Sequence, residues 1–282
     1  MDLRARHIVE GFLSGEHRSP YFGQSIEFLQ HREYAPGDDL RRIDWKVWAK
    51  QDRLYVKQYE EETNLRATLV VDVSAGMQYG SGPLNKYEYA STVAVSLAYL
   101  LLRQQDAVGC ISFDEKVRRS TAIRSRMNHL QSVIATLENS NPADKTDLAK
   151  VLQEVAEETP RRGMIAIVSD LFCDRPGLIK GLRLLRQRGH DVMVFHIMDD
   201  DELDFTFTGP TRFDGLETVD YLNCNPRALR DGYMQALNGF LEEVRRGCTQ
   251  NACDYALIRT SQPLDAALAY YLSNRLGMHR RN

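Results

Sequence analysis

The chain has 282 residues, 43% of them apolar and 27% charged, with a formal net charge of −3 at pH 7. That is enough apolar material for one large domain, or for a domain carrying a sizeable extra lobe. The near-balance of charge excludes a whole-molecule attraction to nucleic acid or acidic membranes, so electrostatics alone names no partner.

The five cysteines, Cys110, Cys173, Cys224, Cys248 and Cys253, are odd in number, and no pair has the spacing of a zinc knuckle or a redox dithiol. They read as reduced, mostly buried thiols of a cytosolic protein. Met1 to Glu10 is charged and lacks the apolar core of a signal peptide. The longest apolar stretch, Val93 to Leu102, is interrupted by Ser96 and falls short of the roughly 20 residues a membrane span needs. A cytoplasmic protein without a membrane span is expected.

Two textures divide the chain. Residues 1–62 are rich in Arg, Lys, Glu and Tyr, hold Trp45 and Trp48, and contain few sustained apolar runs. They read as a basic, Trp-containing N-terminal lobe. Residues 63–282 alternate short β-branched runs with amphipathic helical patterns. That alternation predicts an α/β domain with a doubly wound, mostly parallel sheet flanked by helices.

In chain order, Ala67 to Asp72 is a continuous apolar run suited to a central strand covered on both faces. A helix follows from about Leu84 to Gln104, with Ala90, Val93, Ala94, Leu97 and Leu101 on one face. Ala107 to Phe113 is a second strand, and Lys116 to Arg119 a short edge strand. Arg126 to Leu137 reads as a helix, and another begins at Thr146 and Asp147. Met164 to Asp170 is a third buried strand. Asp174, Arg175 and Pro176 make a helix start, because Asp caps and Pro is tolerated in the first turn. A strand from Asp191 to Ile197 follows. Alternating residues between Leu203 and Tyr221, with turns at Gly209-Pro210 and Asp214-Gly215, predict an inserted hairpin. A helix from Pro226 to Arg246, a strand from Asp254 to Arg259 and a helix from Leu264 to Leu276 close the chain.

Open α/β sheets bind ligands beyond the carboxyl ends of their strands. There the sequence offers Asp72 and Ser74 after the first strand and Asp170 after the third, with Thr146 opening a helix between them. Two carboxylates, two hydroxyls and water suit Mg2+ or Mn2+, hard ions that prefer oxygen, and leave a position for a partner's carboxylate. Each residue also has a plainer reading. Asp can cap the turn after a strand, Thr146 can cap a helix, and Ser74 can bond its own loop.

Asp72-x-Ser74-x-Gly76 resembles the metal-ion-dependent adhesion site of von Willebrand factor A domains, whose pattern is Asp-x-Ser-x-Ser. Upstream, Arg32-x-Tyr34, Gly37-Asp38 and Arg41-Arg42-Ile43-Asp44-Trp45 resemble a run found in the bacterial domain-of-unknown-function-58 family. The resemblance spans nearly the whole chain. It implies a von Willebrand factor A-like, Rossmann-like fold and a protein that binds partners. It also implies an adaptor or assembly role beside a MoxR-type AAA+ ATPase or its client, with Thr146 and Asp170 in the later metal-ligand positions. One departure matters: Gly76 stands where the motif has its second Ser, so a metal there loses a hydroxyl and binds more weakly.

Read physically, Arg32, Arg41, Arg42 and Trp45 either pack the lobe, with Asp44 paired to an Arg, or form a docking surface of the Arg and Trp types that dominate interface energies. Carboxylates at Asp38, Asp39, Asp44 and Asp52 dilute the basic stretch too much for a nucleic-acid site.

Enzyme readings are weaker. Position 74 is Ser, so an aspartyl nucleophile at Asp72 lacks a carboxylate helper, and no nucleophile elbow or phosphate loop is present. A non-enzymatic binding module is the expectation. Its alternatives are a metal-independent docking scaffold and a metal-dependent hydrolase built on Asp72 and Asp170.

Overall fold

The computed structural model describes residues 28–33, 47, 54–59, 65–140, 142, 145–159, 162–216, 220–264 and 269–270. Residues 19–64 form one compact unit, and the chain from Leu65 onward lies in a second. In the smaller unit, β1 (Phe28–Glu33) and β2 (Tyr55–Tyr59) pair antiparallel, with an irregularity between Phe28 and Gln30.

The larger unit is built on β3 (Arg66–Asp72), β4 (Ala107–Phe113), β5 (Val117–Ser120), β6 (Met164–Ser169), β7 (Asp191–Met198) and β10 (Asp254–Arg259). They form one six-stranded sheet in the order β10-β7-β6-β3-β4-β5. Every neighbouring pair is parallel except β4 with β5. The edge strand β5 shows three exposed positions, among them Arg118 and Arg119, charges that blunt an open edge.

The helices are α1 (Lys86–Arg103), α2 (Leu130–Glu138), α3 (Leu148–Glu158), α4 (Arg175–Gln187), the short α5 (Asp200–Asp204) and α6 (Pro226–Gln250). Strand alternation sorts them into two cores. Leu69, Val71, Cys110, Val168 and Phe195 face α1 and α2 on one side. Val70, Ile111, Ile167 and Val194 face α3, α4 and α6 on the other. Helix α1 is buried almost all round, from Lys86 to Leu102 with only Glu88 outside. Its apolar length serves the core; among the described residues, no helix is long and apolar enough to cross a membrane.

Several expectations shift. The helix predicted from Thr146 begins at Leu148, because Asp147 is the residue whose side chain accepts from the Lys150 N–H, at 3.1 Å. The hairpin predicted from Leu203 starts later. Asp199 and Glu202 form a reciprocal cap that winds residues 200–204 into α5, and the strands are β8 (Thr211–Asp214) and β9 (Tyr221–Cys224). Phe205 and Phe207 pack with Phe213, and Phe205 stacks on Tyr233 at 4.5 Å. Their alternation marks an aromatic cluster, not a strand. Most of the expected helix from Leu264 to Leu276 lies outside the described residues.

Candidate functional site

The strand order reverses at β3. From there the chain crosses through α1 to β4 on one side, while β6 lies on the other side, so the carboxyl ends of β3 and β6 border a switch point where ligands of open sheets bind. Val71 is in register with Val168, which sets Asp72 beside Ser169 and puts Asp170 one residue further along the same rim.

Asp72 is wholly buried. Its Oδ1 accepts from the Ser74 N–H at 2.8 Å, and its Oδ2 from the Ser169 hydroxyl at 2.5 Å. The Thr146 hydroxyl lies 3.4 Å and 3.5 Å from the two Asp72 oxygens. Because Asp147 takes the helix-capping role, Thr146 faces Asp72 and not its own helix. Ser74 Oγ is buried and makes no hydrogen bond of ordinary geometry among the described residues, although its hydroxyl is near enough to Asp72 to help lower that carboxyl's pKa. Burial first, and then the nearby Asp170 charge, push the Asp72 carboxyl up to about 7, against the lowering effect of the Ser169 and Ser74 donors.

Asp170 is differently placed. Its Oδ1 accepts from the Phe172 N–H at 3.2 Å, and its Oδ2 meets Lys86 Nζ at 2.7 Å. Lys86, the first residue of α1, also lies 2.6 Å from Glu202 of α5 and is itself 1% exposed. Burial acts against its charge, but Asp170 and Glu202 outweigh burial and hold the Lys86 pKa above its ordinary value. Burial raises the pKa of Glu202 in turn. Below Asp170, its main-chain carbonyl accepts from His196 Nε2 at 2.8 Å. A carbonyl only accepts, so Nε2 carries the proton, and Nδ1 is left to accept from the Tyr255 hydroxyl at 2.8 Å. Burial holds this imidazole down at about 4.

The loop after β6 is strained and exposes an aromatic. Leu171 is buried at φ 57°, a left-handed conformation unusual for a γ-branched residue. The turn projects Phe172, 42% exposed, against Phe240. Phe172, Tyr79, Lys86, Asp170, Glu202 and Leu216 line a cleft of about 320 Å³ beside the rim.

The structure therefore brings Asp72, Ser74 and Thr146 together, with Asp170 next to them but held by Lys86. Among the described residues, no group of three or more His, Cys, Asp or Glu could hold a metal, so a cation here would depend on hydroxyls and water. The donors fit a hard ion: a buried carboxylate that forms no ion pair among the described residues, an unpartnered hydroxyl, and a second hydroxyl close by. Arg41, Arg42 and Trp45 lie outside the described residues, and Arg32 is described only through its backbone, paired with Val56. Lys86 and Glu202 are not singled out by the sequence. A Lys opening a helix that is otherwise apolar was the available signal for Lys86.

This sheet and its helices are a von Willebrand factor A-like fold. BatB from Bacteroides thetaiotaomicron superposes with a TM-score of 0.51 over 77% of this chain and all of that one, at 16% identity. The SpRpn10 VWA domain gives 0.43 over 72% of this chain and 94% of that one, at 11% identity. The family model for protein of unknown function DUF58 matches residues 30–239, and the chain belongs to that family. It is also similar to uncharacterized proteins of Mycobacterium tuberculosis and Mycobacterium bovis, 25% identical over 280 residues, covering 98% of this chain and 87% of each relative.

Proposed function

We propose that the chain is a non-enzymatic protein-binding module, an adaptor or assembly factor for a MoxR-type AAA+ ATPase or its client, and that its recognition site is the rim around Asp72. The observation that carries this reading is the unfilled oxygen set: Asp72 is buried with no ion pair among the described residues, and Ser74 Oγ is buried with no hydrogen bond among them. Asp72, Ser74 and Thr146 would hold Mg2+ or Mn2+, with Asp170 supporting through water. When bound, the ion supplies a hard position for a carboxylate oxygen of the partner. Ser169 and the Ser74 N–H orient the Asp72 carboxylate. The strained turn at Leu171 presents Phe172 beside the same rim.

Capture of a purified MoxR-type ATPase on the immobilised chain tests the reading. Retention in Mg2+, lost in chelator and lost with Asp72→Ala, is expected. No capture under any condition would remove the partner. Metal-independent docking is the second reading, favoured by the ammonium already seated on Asp170, and capture that persists in chelator would select it.

A further inference from the structure

Lys86 sits where its own helix disfavours it. It is the first residue of α1, directly after the cap Asn85, at the positive end of the helix dipole. It is also 1% exposed, and a buried ammonium is tolerated only with charged partners. Those partners come from two other elements: Asp170 from the end of β6 at 2.7 Å and Glu202 from α5 at 2.6 Å. The Phe172 ring lies 5.2 Å away and covers the group. Two carboxylates, Asp170 and Glu202, thus hold one ammonium, Asp72 lies close enough to Asp170 to feel its charge, and among the described residues no other cation pairs with Asp170 or Glu202. Beside them, the buried Ser74 hydroxyl makes no hydrogen bond of ordinary geometry among the described residues.

We propose that Lys86 is a built-in cation that stands in for part of the charge of a divalent ion and sets how tightly the rim takes one. Its ammonium occupies the Asp170 oxygen that a metal's water shell would use. It also adds a positive charge that repels an incoming ion. Through Glu202 the same ammonium ties the rim to α5, so filling the site with metal loosens that tether. The inference deepens the metal reading above and rests on it only for the kind of ion.

Mn2+ binding to the full chain, followed by calorimetry, tests it. Lys86→Met removes the ammonium. The double variant Lys86→Met/Glu202→Gln removes it while keeping the summed charge of the cluster. Mn2+ affinity is expected to rise about tenfold or more in both. Equal, measurable affinities in wild type and variants would overturn the role of Lys86 and leave the metal reading standing. Binding by the variants but not by wild type would uphold Lys86 and take the metal out of the native protein. Absence of binding in all three would overturn both. Should a variant lose its cooperative melt, millimolar Mn2+ must restore it if a metal can replace the ammonium; failure to restore it also overturns the proposal.

Discussion

The hydroxyl of Ser169 lies 2.5 Å from Asp72 Oδ2, joining the ends of two strands that are neighbours in the sheet but 97 residues apart in sequence. The same oxygen of Ser169 accepts from the Leu171 N–H at 2.9 Å. One small side chain therefore steadies both the buried carboxylate and the strained turn that follows β6.

Ser169→Ala should destabilise the protein by about 1–3 kcal/mol at neutral pH, since it strips a donor from a buried carboxylate and an acceptor from a buried N–H. Urea denaturation measures this. A change within error of zero would mean that the hydroxyl does not support Asp72.

The pH dependence of stability should contain two opposed slopes. The Asp72 carboxyl, raised to about 7, holds its proton in the folded state where the unfolded chain has lost it. Its contribution is full below the ordinary carboxylate value of 3.8 and fades as pH rises to about 7. His196, lowered from 6.5 to about 4, does the reverse: its contribution is full above 6.5 and fades as pH falls to about 4. Between these limits the wild type should be nearly flat. Asp72→Asn should leave stability rising with pH, and His196→Gln should leave it falling. Parallel urea midpoints for all three proteins across this range would show that one of the assignments is wrong.

Gly76→Ser restores the motif's missing hydroxyl. Gly76 is not among the positive-φ residues of the chain, so a side chain there meets no backbone strain. Mg2+ affinity should increase several-fold by calorimetry. Unchanged affinity would mean that position 76 does not limit the site.

Phe172→Ala removes a 42% exposed ring that stacks on Phe240 at 5.3 Å. Stability should change by no more than about 1 kcal/mol, because the ring is largely a surface feature. Capture of the ATPase should weaken about tenfold, as expected for an aromatic anchor beside a recognition site. Full retention would place the docking surface elsewhere.

Much of this arrangement was legible in the sequence. Short apolar runs marked the strands, β4 to the residue, because a strand buried on both faces reads as one continuous apolar run; the edge strand β10 was also placed to the residue, although it is only partly buried. Asp72 and Asp170 could be placed at strand ends from those runs alone. That the two strands are neighbours was not readable, since adjacency depends on which side of β3 each crossover takes. Lys86 was hidden for another reason: a Lys at a helix start is exposed by default, and only Asp170 and Glu202, distant in sequence, explain its burial. Glu202 was masked within the acidic run from Asp199 to Asp204, where its capping bond to the Asp199 N–H at 2.9 Å winds α5 in place of the expected strand.

The reversal of strand order at β3 also determines when a recognition surface can exist during synthesis. The rim is not complete until both strands have emerged and the intervening crossovers have closed. On the proposed function, a partner that grips this rim would meet it only on chains extended past β6, 97 residues beyond the end of β3.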